Sequence, residues 1–238
     1  MILVERRLKG IPYRQKWFAR NACAQDLFRV VIYYQYLGRT MPPLFLRRSF
    51  ATNHISLDRD PESMLAGMRK NVRYEIRRAE GEGLQWEAGF DSREFAAFHE
   101  SFAQKKGIGG VGFLRIKTFG PALILSRAVK DGRILAQHAH VMDEGESRVR
   151  LLYSSSARFD KEDAALAGRA NRWCHWKDMM YFRDRGIRVY DFGGVAGSTH
   201  NHALHGIDDF KLGFGGTVVH EDHWLSPLYF LASLTGTP

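Results

Sequence analysis

The 238-residue chain predicts a mixed α/β fold with a mainly antiparallel sheet flanked by helices. Three observations carry this. "ALILSRAV", "RILAQHAHVM" and "RVRLLYSSS" alternate around short turn signals, so they read as a three-strand antiparallel meander. "NRWCHWKDMMYFRDRGIRVYDFGG" runs from a helix through a glycine stop straight into a strand, an α/β signature. Two further segments, over 60–83 and 91–107, carry helical periodicity and caps. The length suits one sizeable domain with a short extension.

In chain order, residues 27–38 ("LFRVVIYYQYLG") read as a strand rich in β-branched and aromatic residues, which "MPPL" then breaks. "FATNHISL" over 50–57 is a second strand. "DPESMLAGMRKNVRYEIRRAEGEG" predicts one helix, with Asp60 as N-cap, Pro61 at the first helical position and Gly81 or Gly83 at the stop. Leu65, Met68, Val72, Ile76 and Ala79 form its apolar face. Arg69, Arg73 and Arg77, four apart, line another face beside Lys70 and Arg78. "DSREFAAFHESFAQKKG" is a helix with a capping-box pattern at Asp91 and Glu94. Asp131-Gly132 is a hairpin turn inside the meander. "KEDAALAGRANRWCHWKDMMYFRDRG" is the third long helix, stopped by Gly186. A loop leads into the glycine-rich "GIDDFKLGFGG", then a last strand "TVVHEDHW" and the apolar tail "LSPLYFLASL".

The formal charge of +9 serves either simple solubility or an anionic partner: nucleic acid, nucleotide phosphate, CoA or acidic lipid headgroups. Two cysteines, Cys23 and Cys174, make no disulfide framework and no zinc-type CxxC, which favours a reducing compartment. The start of the chain has no apolar signal core, and no apolar run approaches the ~20 residues of a membrane span. The expected location is the cytoplasm.

Several constellations bear on chemistry. The arginine stripe is either a solvated face paired with Glu75 and Glu80 or a phosphate clamp. His200, His202 and His205 in "HNHALH" lack the fixed geometry a zinc site needs, and no metal is expected. His138 and His140 share one strand face and are candidate site-lining residues. "YSSSAR" lacks a nucleophile elbow, and "GVGFL" and "DFGG" are not dinucleotide fingerprints. Gly168 and Ala170 in "ALAGRA" are the candidate phosphate-cradling helix start. Lys211 is a single cation in a glycine-rich stretch. It either pairs with Asp208 and Asp209 or, held by Phe210, faces a ligand as a fixed positive charge.

"MRKNVRYEIRRAEGEGL", "NRWCHWKDMMYFRDRGIRVYDFGG" and "GIDDFKLGFGG" together resemble the FemABX family, in order and over about 52–224. The resemblance implies a GNAT-like sheet and transfer of an acyl or aminoacyl group to peptidoglycan or polysaccharide precursors. It implies that Phe210-Lys211 sits at the active site, with Lys211 stabilising the transferring acyl group or donor phosphates. Lys70, Arg73 and Arg77 would then bind an anionic substrate. Family members commonly carry two such domains. This chain has room for one, over 51–238, with a strand-containing extension over 1–50 packed on it. The CoA loop of GNAT enzymes is half matched, with Gly168 and Ala170 in place and Ala165 where Gln or Arg stands.

The expected reaction is direct attack by a precursor amine on an activated carbonyl, with acyl-CoA or aminoacyl-tRNA as co-substrate and no tightly bound cofactor. Asp191, before Gly193-Gly194, is either a proton acceptor or a structural acid capping the loop. The expected partners are an anionic or lipid-linked precursor and tRNA rather than DNA. The apolar tail could cover the core, a dimer partner or a membrane surface, with the core the expected place, and oligomeric state is unassigned. The alternatives are acyl-CoA-dependent N-acetylation of another small molecule and, in a different class, a non-catalytic RNA-binding or assembly protein.

Overall fold

A computed structural model describes residues 1–8, 10–159, 164–196 and 202–234, excluding the side chains of 202–205. The first half runs β1 (Ile2–Leu8), β2 (Ile11–Trp17), β3 (Val31–Tyr36), β4 (Leu46–Ser56), α1 (Pro61–Ala66), α2 (Lys70–Glu80), β5 (Gln85–Ala88), α3 (Ser92–Lys106) and α4 (Phe113–Lys117). The second runs β6 (Leu123–Lys130), β7 (Arg133–Asp143), β8 (Arg148–Ser156), α5 (Ala164–Arg183), β9 (Val189–Gly194), α6 (His202–Leu212), β10 (Thr217–Leu225) and α7 (Pro227–Leu234). The chain divides into two compact units. One is Met1–Thr52 with Val218–Pro238, the other Asn53–Thr217.

In the first unit β1 and β2 form a hairpin in register from Ile2↔Trp17 to Leu8↔Ile11. β3 lies parallel to β2 and antiparallel to β10. The strand expected from residue 27 begins at Val31, because Ala24–Phe28 winds into a 3-10 turn. That turn buries Asp26, whose carboxylate accepts hydrogen bonds from Lys16 Nζ and the Tyr33 hydroxyl, both at 2.5 Å. A buried carboxylate requires such partners, so the turn outweighs the local strand preference. The apolar tail is α7, capped by Ser226, whose hydroxyl accepts the Tyr229 N–H at 3.1 Å.

In the second unit β5, β6, β7 and β8 are successively antiparallel, and β9 joins β8 in parallel. This is the mixed, mainly antiparallel sheet with flanking helices expected of a GNAT-like domain. β5, a four-residue edge strand, is too short to carry a periodic signal. α2 and α5 cover one face, burying Val72, Ile76, Trp173, Met179 and Phe182 in the main core. Phe95 of α3 and Ile116 of α4 pack with Leu125 and Ala139 on the other.

The helix expected over 60–83 is two helices. α1 ends at Gly67, and Arg69 starts α2 with extended backbone. Glycine lowers the cost of leaving the helix, and tertiary partners take up the freed backbone groups. Arg69 N–H donates to the Gly213 carbonyl at 2.9 Å. The Arg73 guanidinium donates to the carbonyls of Ala66 and Met68, closing the end of α1.

Candidate active-site cleft

β8 and β9 pair only over Arg148–Arg150 and Val189–Asp191. Beyond that β8 continues to Ser156 while β9 turns away at Gly193, whose φ is 76°. A Cβ there would stand 3.2 Å from the Leu151 carbonyl, so the parting strands need glycine. A cleft of about 1000 Å³ opens at the divergence. Its walls include Leu151 and Ser154 of β8, Phe192 to Gly194 of β9, and Phe210 and Lys211 of α6.

Lys211 stands in the last turn of α6, so "GIDDFKL" is helix rather than loop. The glycines after it make the exit. Gly215 and Gly216 have φ of 80° and 91°. Asn53 ties this exit down, its amide donating to the carbonyls of Lys211 at 3.2 Å and Gly215 at 3.0 Å. Lys211 Nζ donates to the Gly194 carbonyl, which fixes the cation across the mouth of the β9 turn. Burial, with help from the Arg150 charge and against Asp208 and Asp191, pulls its pKa down to about 8.

The other charged groups on the cleft wall are mostly cations: Arg69, Lys106, Arg150, Arg158 and Arg172, with Asp209 opposed. Arg172 is held by Glu75 at 2.9 Å and lies over the Phe210 ring at 5.1 Å. Arg69 sits 3.5 Å from Asp209. A cleft with this charge suits a polyanionic carrier.

Asp191 lies beneath the cleft, fully buried. Arg148 donates to it at 2.7 Å, and it accepts the Gly193 N–H at 2.7 Å. Burial alone would raise its pKa, but hydrogen bonding to His54 and the guanidinium charges of Arg150 and Arg148 hold it well below the usual carboxylate range. Through the Gly193 N–H the carboxylate holds the Gly193-Gly194 turn.

His138 and His140 lie side by side on β7, both fully buried behind the cleft floor. His138 Nδ1 is 2.6 Å from Asp178, and its Nε2 is 2.9 Å from the Asn171 amide, which lines the cleft. His140 Nε2 and His175 Nδ1 each stand 3.0 Å from the Tyr190 hydroxyl. Burial, against the Asp178 charge and with help from His138, lowers His140 to about 4, and burial followed by neighbouring positive charge takes His175 well below the imidazole range, so both are neutral. Two hydrogen bonds at one hydroxyl need two protons. Tyr190 supplies one and one of the two imidazoles the other, so the tautomers of His140 and His175 are coupled.

His175 forms part of the cleft floor, and its Nε2 has no hydrogen-bond partner among the described residues. It and Asp178 were not singled out from the sequence. The available signal was spacing: Asn171, His175 and Asp178, at i, i+4 and i+7, put polar groups on one line of a helix whose neighbouring line is core. His138, His175 and Asp178 lie within metal-ligand range of one another. The two imidazoles, however, stack at 3.8 Å with planes 20° apart, so their nitrogens do not converge on one point.

The remaining candidates separate. Gly168 lines the cleft, and its carbonyl accepts from Arg172 at 3.2 Å, whereas Ala170 is buried in the core. Arg73 and Arg77 border a second depression of about 600 Å³ with Glu62, Leu65 and Ala66. Lys70 is exposed at the start of α2 and lines neither. His200 lies outside the described residues, as do the side chains of His202 and His205.

No family profile and no curated protein matches the chain. Among solved structures, FemX superposes with a TM-score of 0.65 at 12% identity, covering 96% of this chain and 85% of its own. L-PGS from Bacillus licheniformis gives 0.61 at 10%, covering 98% and 84%. The C-terminal domain of an Agrobacterium fabrum protein assigned as a lysylphosphatidylglycerol synthetase gives 0.58 at 12%, covering 98% and 82%. At these identities the likeness is one of fold.

Proposed function

We propose that the cleft is the active site of an acyl or aminoacyl transferase. In this reading an amine of an anionic cell-envelope precursor attacks an activated carbonyl carried on CoA or tRNA. The observation that carries it is Lys211, a fixed ammonium on the wall of a cleft whose charged lining is otherwise almost all arginine and lysine. The three sequence motifs and the fold shared with FemX and L-PGS point the same way.

The chemistry follows from the geometry. The amine nitrogen adds to the carbonyl carbon, and the carbonyl oxygen takes up the displaced electron pair as an oxyanion. The Lys211 ammonium stabilises that charge, and a preorganised donor of this kind is worth about 10²–10³ in turnover. Collapse reforms the carbonyl and breaks the carbon–oxygen or carbon–sulfur bond. The departing alkoxide or thiolate takes the proton lost by the amine. The arginines on the wall bind the phosphates of the carrier. Asp191 positions the turn whose Gly194 carbonyl holds Lys211.

A thermal-shift screen with CoA, acetyl-CoA, aminoacyl-tRNA and UDP-sugar precursors identifies the donor and acceptor. With the stabilising pair, Lys211→Met is expected to lose turnover by about two to three orders of magnitude. Its melting temperature should stay near that of the parent. Full activity in that variant would remove Lys211 from the charge-stabilising role, and stabilisation by uncharged tRNA alone, with steep salt dependence, would favour the RNA-binding reading instead.

A further inference from the structure

We propose that the first unit docks on an anionic lipid bilayer through the face formed by α7 and the 3-10 turn at Ala24–Phe28. α7 contains no charged residue. It leaves Leu231 56% and Leu234 63% exposed, with Leu228 and Phe230 beside them. The turn abuts this helix, because the Ser226 hydroxyl that caps α7 donates to the Arg29 carbonyl at 2.6 Å. There Phe28 stands 83% exposed, unusual for a phenylalanine on a water-facing turn. The Tyr13 ring meets Tyr229 at 5.4 Å, which puts α7 on the sheet face that also exposes Ile11. The result is an uncharged apolar surface built from three segments.

Charge selects the occupant. The sequence of this unit holds ten Lys and Arg against four Asp and Glu. Arg29 follows Phe28 directly, and the charge of Arg48 reaches Tyr229 in α7. An apolar face bordered by arginine fits a surface whose hydrocarbon lies just below anionic headgroups. A second copy fits less well. A two-fold pairing would lay the same face against itself and bring like charges together at its rim.

The test is co-sedimentation of the full chain with vesicles of three parts phosphatidylcholine to one part phosphatidylglycerol. Binding is expected, about tenfold or more weaker to pure phosphatidylcholine and weakened by salt. The pair Phe28→Ser and Leu231→Glu should reduce it about tenfold or more with an unchanged circular dichroism spectrum. Arg29→Gln with Arg48→Gln, which leaves the apolar groups in place, should lower affinity for the anionic vesicles only. Lys211→Met should bind like the parent, which separates this proposal from the reading of the cleft. Unchanged binding in both pairs overturns the proposal. So does absence of binding together with a concentration-dependent dimer that Leu231→Glu dissociates.

Discussion

Lys211 is charged at neutral pH by a narrow margin. Its pKa of about 8 makes the ammonium half lost one unit above pH 7. If the ammonium stabilises the oxyanion, turnover falls as pH rises through about 8. Lys211→Arg keeps its charge through that range and should retain activity at pH 9 relative to its own neutral value. A pH–rate profile of both proteins decides it, and an unshifted alkaline limb would remove Lys211 from the charge-stabilising role. Lys211 was legible because a motif surrounds it. Asp191 has two possible roles at the level of sequence, which does not show whether an acid meets solvent or arginine. Here it meets Arg148 at 2.7 Å. His175 passed unnoticed since a histidine inside an aromatic helix looks like core until its neighbours are known.

The corner between α1 and α2 and the exit of α6 are one element in mechanical terms. Gly215 lies so close to this corner that a Cβ would stand 2.7 Å from the Gly67 carbonyl. Gly83 has a similar φ, 72°, but nothing within 4 Å of the same atom. Gly83→Ala should therefore cost only the left-handed backbone strain, about 1 kcal/mol. Gly215→Ala should cost about 1–3 kcal/mol more by urea denaturation, since it adds a backbone clash. It should also lower turnover by displacing Lys211. Equal losses would mean the corner gives way without cost. Periodicity predicted a single helix here because the apolar spacing is unbroken across Gly67. The break depends on Gly213, far along the chain, accepting the Arg69 N–H.

Across the second unit, the buried histidines set an acid limit on stability. An unfolded histidine takes up a proton below about pH 6.5, whereas folded His140 stays neutral down to about 4, and folded His175 stays neutral as well. Protons then favour the unfolded chain, so stability falls as pH drops below 6.5, by about 2 kcal/mol at pH 5 from His140, with His175 adding in the same direction. Asp178 and Asp191, held ionised in the fold, add stability above the unfolded carboxylate pKa near 4 and lose it only at lower pH. Urea midpoints at pH 7 and pH 5 should show the loss, and His175→Phe should flatten it. A level profile would contradict neutral burial.

The meander, the strand over 50–57, the helix capped at Asp91 and the helix-to-strand turn before Asp191 were legible in the sequence alone. Each rests on local signals: periodicity, caps, turn residues and a contiguous motif. Tertiary structure decided what those signals do not contain. It split the basic helix, sending Arg69 to the cleft and Arg73 to the end of α1. It buried His138 and His140 against Asp178 rather than leaving them on a cleft wall. It also wound Ala24–Phe28 around Asp26 and exposed Phe28 beside α7. In each case the deciding partner lies on another element, and which buried polar groups find partners depends on packing that no local pattern encodes.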